Sequence, residues 1–139
     1  MTKSIVADSG FWFGLFNARD QFHERACIIE PLIEHRVLVV PWPSLYEALN
    51  TRLMRNRSWR ARMHAFVKRP STVLLDDAVY KQSSLDYVLR QDSTTYSLVD
   101  HVIRSLLEDP TLAVNELITF NAADFADVCQ ARRIDIIDA

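Results

Sequence analysis

The sequence predicts an α/β fold in which a central parallel sheet of about five strands is flanked by helices. Short apolar runs rich in β-branched residues alternate with longer segments whose apolar residues recur at helical spacing. This alternation is typical of a parallel sheet wrapped by helices. The chain has 139 residues, 49% of them hydrophobic, so we expect residues 1–139 to form a single domain with its own core.

Five short apolar runs are the predicted strands, and they are residues 4–7, 37–40, 72–75, 116–120 and 134–137. The predicted helices are residues 21–34, 45–54, 59–67, 78–90, 96–107 and 122–131, with a further helix beginning near Phe11. Pro41, Pro43, Pro70 and Pro110 fall in the predicted joints, where proline interrupts no hydrogen-bonded ladder. Strands and helices are therefore expected to follow one another along the whole chain.

The cysteine content and the amino terminus both bear on the compartment. The two cysteines, Cys27 and Cys129, lie far apart and form no CxxC motif. The apolar run before Asp8 is only three residues long, too short for the core of a signal peptide or for a membrane span. We therefore expect a protein of the reducing cytoplasm that does not enter a membrane.

The charged residues are unevenly distributed, although the net charge is only −2. No acidic residue lies between Ala48 and Leu75, whereas seven of the sixteen basic residues do: Arg52, Arg55, Arg57, Arg60, Arg62, Lys68 and Arg69. All eighteen acidic residues lie outside this basic stretch, residues 52–69. The distribution predicts a basic face beside an acidic one.

Four acidic residues are predicted to meet at one edge of the sheet. In a parallel α/β sheet, the loops that lead from strands into helices open on the same edge. Asp8 ends the first strand, and Glu47 and Asp124 lie in the predicted first turns of the helices after the second and fourth strands. Asp100 lies in the first turn of a helix that runs antiparallel to the next strand, which brings its amino terminus to the same edge.

Each acid also has a simpler interpretation as part of a helix cap. Ser44 and Ser97 each precede one of the acids by three residues, as in a capping box. Asn121 stands in the same relation to Asp124, and Asp8 matches a cap for the helix that follows it. For three of the four acids taken singly, capping is the better explanation. The coincidence of all four at one edge favours a functional site.

Crowded carboxylates of this kind favour a metal site. They repel one another and raise one another's pKa, and a hard divalent cation removes that cost. Mg²⁺ takes oxygen ligands, keeps several waters and is often held by one or two carboxylates together with substrate phosphates. The four histidines, His23, His35, His64 and His101, show no ligand spacing. The sequence therefore predicts Mg²⁺ rather than zinc.

Five segments in order carry a family resemblance that runs from about Ile5 to Ile137. They are IVADS (5–9), DQFHERA (20–26), PSLYE (43–47), YSLVD (96–100) and TFNAADF (119–125). Together they resemble the PIN-domain nucleases, especially the VapC-type toxins of bacterial toxin–antitoxin pairs. The resemblance implies a PIN-like three-layer fold, a site for Mg²⁺ or Mn²⁺, and cleavage of single-stranded or looped RNA.

The resemblance also implies roles for individual residues. Asp8, Glu47 and Asp100 match the family's core acidic positions, and Asp124 matches the fourth. Asp8 and Asp100 are then the expected direct metal ligands, while Glu47 and Asp124 hold metal-bound waters. This assignment accounts for all four acids.

Two polar neighbours of these acids are expected to assist them. Ser9 and Asn121 are expected to hydrogen-bond the acidic residues or the scissile phosphate. Asn121 stands where many relatives have aspartate. The number of metal ions, one or two, therefore stays open.

The resemblance further implies a homodimer and a cognate antitoxin, a segment of which occupies the groove. The basic stretch is expected to contact the RNA backbone, with Trp59 stacking on a base. Alternatively, the basic stretch forms a solvent-exposed helix face, and Trp59 packs in the core or at a dimer contact. Several aromatic residues lie near the predicted active edge. We expect most of them to pack in the core and any that stay exposed to contact a partner chain: Phe11, Trp12, Phe13, Phe16, Trp42 and Tyr46.

Two classes of function follow from this pattern. The first is a metal-dependent endoribonuclease that hydrolyses RNA phosphodiester bonds as the toxin of a toxin–antitoxin pair. The second is a non-catalytic PIN-like module that binds RNA or a protein partner. The four intact acidic residues favour the enzyme.

Overall fold

The computed structural model describes residues 2–90 and 96–138, and it contains a five-stranded parallel sheet. The strands are β1 (Ser4–Ala7), β2 (Val37–Pro41), β3 (Thr72–Leu75), β4 (Glu116–Ile118) and β5 (Asp135–Ile137). They are ordered β3-β2-β1-β4-β5, and each neighbouring pair is parallel. In the centre, Val6 of β1 is in register with Val39 and Leu117. The predicted α/β fold with a parallel sheet of about five strands is confirmed.

Helices lie between successive strands, as the alternation of sequence patterns predicts. They are α1 (Ser9–Phe16), α2 (His23–Ile33), α3 (Trp42–Ala48), α4 (Thr51–Arg55), α5 (Arg57–Val67), α6 (Lys81–Val88), α7 (Leu98–Glu108) and α8 (Ala126–Arg132), with a 3₁₀ turn at Ala122–Asp124. Over residues 2–90 and 96–138, none of these helices combines the length and the apolar character needed to cross a bilayer.

The single helix predicted for residues 45–54 is wrong, because the structure has two short helices there. α3 begins earlier, at Trp42, since Pro43 fits the first turn, where its missing N–H leaves no hydrogen bond unmade. α4 begins separately because the Asn50 side chain accepts hydrogen bonds from the N–H groups of Arg52 and Leu53. As a result, Glu47 lies in the last turn of α3 and not in a first turn.

Apolar side chains cover both faces of the sheet and give the predicted three layers. Alternate residues of β1 point to opposite faces, so Ile5 packs with α1 and α2, whereas Val6 packs with α7 and α8. Phe11 and Trp12 on one side and Phe125 on the other are fully buried. Burial of each large apolar side chain contributes about 1.5–3 kcal/mol. The carboxyl edge of β1 is therefore held between two packed layers.

Candidate active site

The carboxyl edge of β1 is the point at which the strand order reverses. The chain passes from β1 to β2 on one side, and β4 lies on the other. In open parallel sheets, such a switch point leaves a crevice at the carboxyl ends of the strands. Asp8 follows β1 directly, and its backbone N–H donates to the carbonyl oxygen of Ile118 at 3.0 Å. This bond fixes Asp8 at the crevice.

The Asp8 side chain is only 4% exposed, and two donors hold its carboxylate. The backbone N–H of Ser9 donates to Oδ1 at 2.8 Å, and the hydroxyl of Thr119 donates to Oδ2 at 3.2 Å. Desolvation is the largest cause that raises the pKa of Asp8 to about 6. The charges of Asp100 and Glu47 also raise this pKa, and the two hydrogen bonds lower it. Asp8 is thus both the cap of α1 and a buried acid beside other acids.

Asp100 lies in the first turn of α7, as predicted. Its backbone N–H donates to the Ser97 hydroxyl at 3.1 Å, so the expected capping interaction is present. Desolvation first, and then the charges of Asp124 and Glu47, raise the pKa of the Asp100 carboxyl, against a lowering effect of the Ser97 hydrogen bond. Asp100 thus raises the pKa of Asp8, Asp124 raises that of Asp100, and Glu47 raises both. We call Asp8, Glu47, Asp100 and Asp124 the acidic cluster.

Glu47 reaches the acidic cluster from a different place than predicted. It lies in the last turn of α3, and the expected capping box with Ser44 is wrong, because Pro41 occupies the cap position and Ser44 is fully buried. The helix dipole disfavours a carboxylate at this end of a helix. The Ser9 hydroxyl instead donates to Oε1 of Glu47 at 2.7 Å. Helix capping therefore does not explain Glu47.

Asp124 ends the 3₁₀ turn that precedes α8, so its predicted position in the first turn of one continuous helix is wrong. The helix is interrupted at Phe125, whose fully buried side chain packs in the layer under α7. Asn121 makes no side-chain cap bond, and the expected cap at this position is wrong. Its backbone N–H donates to the Thr119 hydroxyl at 3.0 Å, which links the turn to the donor that holds Asp8.

Two residues that support the acidic cluster were not singled out from the sequence. Thr119 lies in the fifth segment of the resemblance and holds Asp8. Arg104 lies one turn after Asp100 on α7, and its side chain is 12% exposed. The lone arginine among the apolar residues of α7 is the sequence signal that points to it.

Arg104 ties α7 to the segment that carries Asp124. Its guanidinium donates to the backbone carbonyl of Asp124 at 2.6 Å and to both carboxylate oxygens of Asp127 at 2.8 Å each. The same group lies over the ring of Tyr96, 4.4 Å from its centroid. A bidentate pair of this geometry fixes orientation as well as distance. Arg104 therefore sets the position of the Asp124 backbone relative to α7 and Asp100.

The donor set suits a hard divalent cation. Within residues 2–90 and 96–138, no three His, Cys, Asp or Glu side chains form a ready-made metal cage. Mg²⁺ does not need one, because it is usually held by one or two carboxylates, waters and substrate phosphates. In the same part of the chain, the ion pairs join other carboxylates to arginine: Arg36 with Glu116, Arg62 with Glu30 and Arg104 with Asp127. None of these ion pairs involves Asp8.

Comparison with known proteins adds information about the fold. No family model matches the sequence, and no curated protein matches it significantly. Among solved structures, VapC20 of Mycobacterium tuberculosis, described as a sarcin–ricin loop cleaving toxin, superposes with a TM-score of 0.67. The match covers 89% of this chain and 95% of that one at 23% identity. The chain therefore has the PIN-like fold that the sequence resemblance implies.

Proposed function

We propose that this chain is a Mg²⁺- or Mn²⁺-dependent endoribonuclease and the toxin of a toxin–antitoxin pair. The observation that carries the proposal is the buried Asp8 carboxylate at the sheet's switch point, with the charges of Asp100 and Glu47 raising its pKa. Such a group destabilises the fold at neutral pH unless a cation neutralises it. The structural likeness to VapC20, itself an RNA-cleaving toxin, supports the choice of RNA as substrate.

In this proposal the acidic cluster holds the cation and its waters. Asp8 and Asp100 are the direct ligands, and Glu47 and Asp124 hold the cation's hydration shell. When bound, the cation supplies Lewis-acid stabilisation of charge on phosphate oxygens and activates water for attack. Hydrogen bonds from Thr119 to Asp8 and from the Ser9 hydroxyl to Glu47 orient the carboxylates before the substrate arrives.

The basic stretch supplies a second element of the proposal, contact with the RNA backbone. Arg52, Arg55, Arg57 and Arg60 are exposed on α4 and α5, directly after the helix that carries Glu47. Exposed guanidinium groups on two adjacent short helices suit a flexible single strand, because they bind phosphates whatever the base sequence. We therefore assign backbone binding to these four arginines.

Other members of the basic stretch have structural partners. Arg62 pairs with Glu30 at 2.9 Å, and Arg69 donates to the carbonyl oxygens of Ile33 and Arg36. Trp59 is partly buried against the core, which favours its structural interpretation over base stacking. We therefore leave these residues out of the proposed RNA contacts.

Protein partners belong to the same proposal. Large apolar side chains stay exposed outside the acidic cluster, with Leu89 72% and Met54 44% exposed. Surfaces of this kind favour contact with a second copy of the chain or with an antitoxin. The cytoplasm is the proposed site of action, where RNA, cation and antitoxin are all available.

Cleavage of single-stranded RNA by the purified protein is expected to require Mg²⁺ or Mn²⁺ and to fall at least about 10²-fold in EDTA, because no protein group replaces the cation's charge stabilisation. Activity should return when metal is added in excess. The Asp8→Asn protein, prepared in parallel, controls for contaminating ribonuclease and should be inactive. Cleavage that persists in chelator would refute metal dependence. RNA binding without cleavage, with either ion and a broad RNA panel, would establish the non-catalytic module instead.

A further inference from the structure

A cavity of about 320 Å³ adjoins the acidic cluster and lies between α3, α6 and α7. Its lining includes Tyr46, Glu47, Asp77, Lys81, Leu98 and Val99. Its volume is at the lower end of the range for small-ligand sites. Glu47 belongs to this lining and to the acidic cluster, so a molecule bound at the acids has the cavity beside it.

Tyr46 gives the cavity an exposed aromatic wall. It is 76% exposed, whereas the aromatic residues Phe11 and Trp12 are fully buried. Trp42 lies one turn earlier on α3, and the two ring centroids are 6.0 Å apart at an angle of 42°. This contact at i, i+4 spacing restrains the tyrosine ring without burying it. Tyr46 is therefore surplus to the core and presents its ring to solvent beside Glu47.

We propose that this cavity is a nucleobase subsite, in which one base of the RNA stacks on Tyr46 and lies against Leu98 and Val99. The proposal rests on the proposed function, because it places the base one step from the phosphate at the acidic cluster. Stacking on aromatic side chains is a general means of holding unpaired bases. Tyr46, Leu98 and Val99 line the same cavity, whose volume suits a flat group such as a base.

The charged groups at the cavity suit a base more than a purely apolar ligand. Lys81 supplies a cation for a phosphate that flanks the bound base. Asp77 and Glu47 supply acceptors for the amino and imino groups on a base edge. An apolar segment of a protein would leave the charges of Lys81 and Asp77 without partners, which costs free energy when they are covered. The combination of a ring, an apolar wall and charges of both signs thus favours a nucleotide.

Binding of a short single-stranded RNA in Ca²⁺ tests the subsite. We expect Tyr46→Ala to weaken binding by roughly 5- to 150-fold, the effect of losing one stacked base. Tyr46→Phe keeps the ring and should keep the parent's affinity. Ile28→Ala is the matched control, since Ile28 is an exposed apolar residue of α2 outside the cavity, and it should have no effect.

Abasic substitution along the RNA then identifies the base. At one position, removing the base should weaken binding to the parent as much as Tyr46→Ala does, and it should cost the Tyr46→Ala protein nothing further. An unchanged affinity of Tyr46→Ala, or equal losses for parent and variant at every abasic position, would overturn the subsite. A changed oligomeric state of Tyr46→Ala with unchanged RNA affinity would assign the cavity to a second copy of the chain and would also overturn it.

The outcome for the subsite is separable from that for the proposed function. If the parent cleaves the same RNA in an EDTA-sensitive reaction while the abasic scan shows no coupling to Tyr46, only the subsite is wrong. If the parent neither binds nor cleaves the RNA, both proposals are wrong.

Discussion

Replacing Asp100 with asparagine is expected to lower the RNA cleavage rate by about 10²-fold or more while leaving the fold at least as stable as that of the parent. Loss of a direct ligand removes several kcal/mol of charge stabilisation in the transition state. The fold does not suffer, because burial and the charges of Asp124 and Glu47 already disfavour the ionised form of Asp100. The RNA cleavage rates of the two proteins test the expected loss of activity. Their thermal unfolding, measured without metal, tests the expected stability.

Glu108→Gln is the control for the Asp100 variant, since it removes an exposed carboxylate from the far end of the same helix. It should leave cleavage at the parent's rate. If Asp100 were only a capping residue, its replacement would cost about 0.3–1 kcal/mol of stability through the helix dipole and leave the chemistry untouched. A lower melting temperature with unchanged cleavage would therefore remove Asp100 from the site.

The Asp8→Asn protein is expected to be about 3 kcal/mol more stable than the parent above about pH 7 in the absence of metal, and equally stable below about pH 4. Burial raises the pKa of Asp8 in the folded state to about 6, from an ordinary value of 3.8. Between these values the folded protein holds a proton that the unfolded chain lacks. The parent's free energy of unfolding is therefore highest below the ordinary pKa of 3.8, and it falls as the pH rises through the folded-state pKa of about 6.

Urea unfolding in EDTA across this pH range measures the difference between parent and Asp8→Asn. Asparagine resembles the protonated carboxyl and keeps an oxygen for the Ser9 N–H, so the variant should show little of the pH dependence. Asp86→Asn, which changes an exposed aspartate of α6, should track the parent. A stability difference that does not vary with pH, or an Asp8→Asn protein weaker than the parent at neutral pH, would contradict the burial of a charged carboxylate at this position.

Much of the fold was predictable because its signals are local and repeated. Two residues of β1, Ile5 and Val6, face opposite apolar layers, and a strand buried on both faces has a continuous apolar sequence. The position of Asp8 followed from the same pattern, since the first polar residue after a buried strand lies at the sheet edge. The first turn of α7 was also predictable, because the Ser97 cap is a local signal.

The remaining features depend on competing local signals or on contacts distant in sequence. Ser44 and Glu47 match a capping box, but Pro43 starts the helix earlier and Asn50 starts the next one. The pairing of Arg104 with Asp127 joins residues 23 positions apart on different elements, and no local spacing encodes it.

The break between Asp124 and α8 has a similar origin. It depends on the burial of Phe125, which is a property of the assembled core and not of the local sequence. Helical spacing alone therefore predicted one continuous segment.

The position of Mn²⁺ in crystals of this protein, located by anomalous scattering, tests the metal site most directly. We expect a strong peak at the carboxyl edge of β1, roughly 2 Å from carboxylate oxygens of both Asp8 and Asp100. The peak should weaken or disappear in crystals of Asp100→Asn. Crystals in excess Mn²⁺ that show no peak at this edge, or a peak bound by residues outside the acidic cluster, would contradict the assignment of these carboxylates as metal ligands.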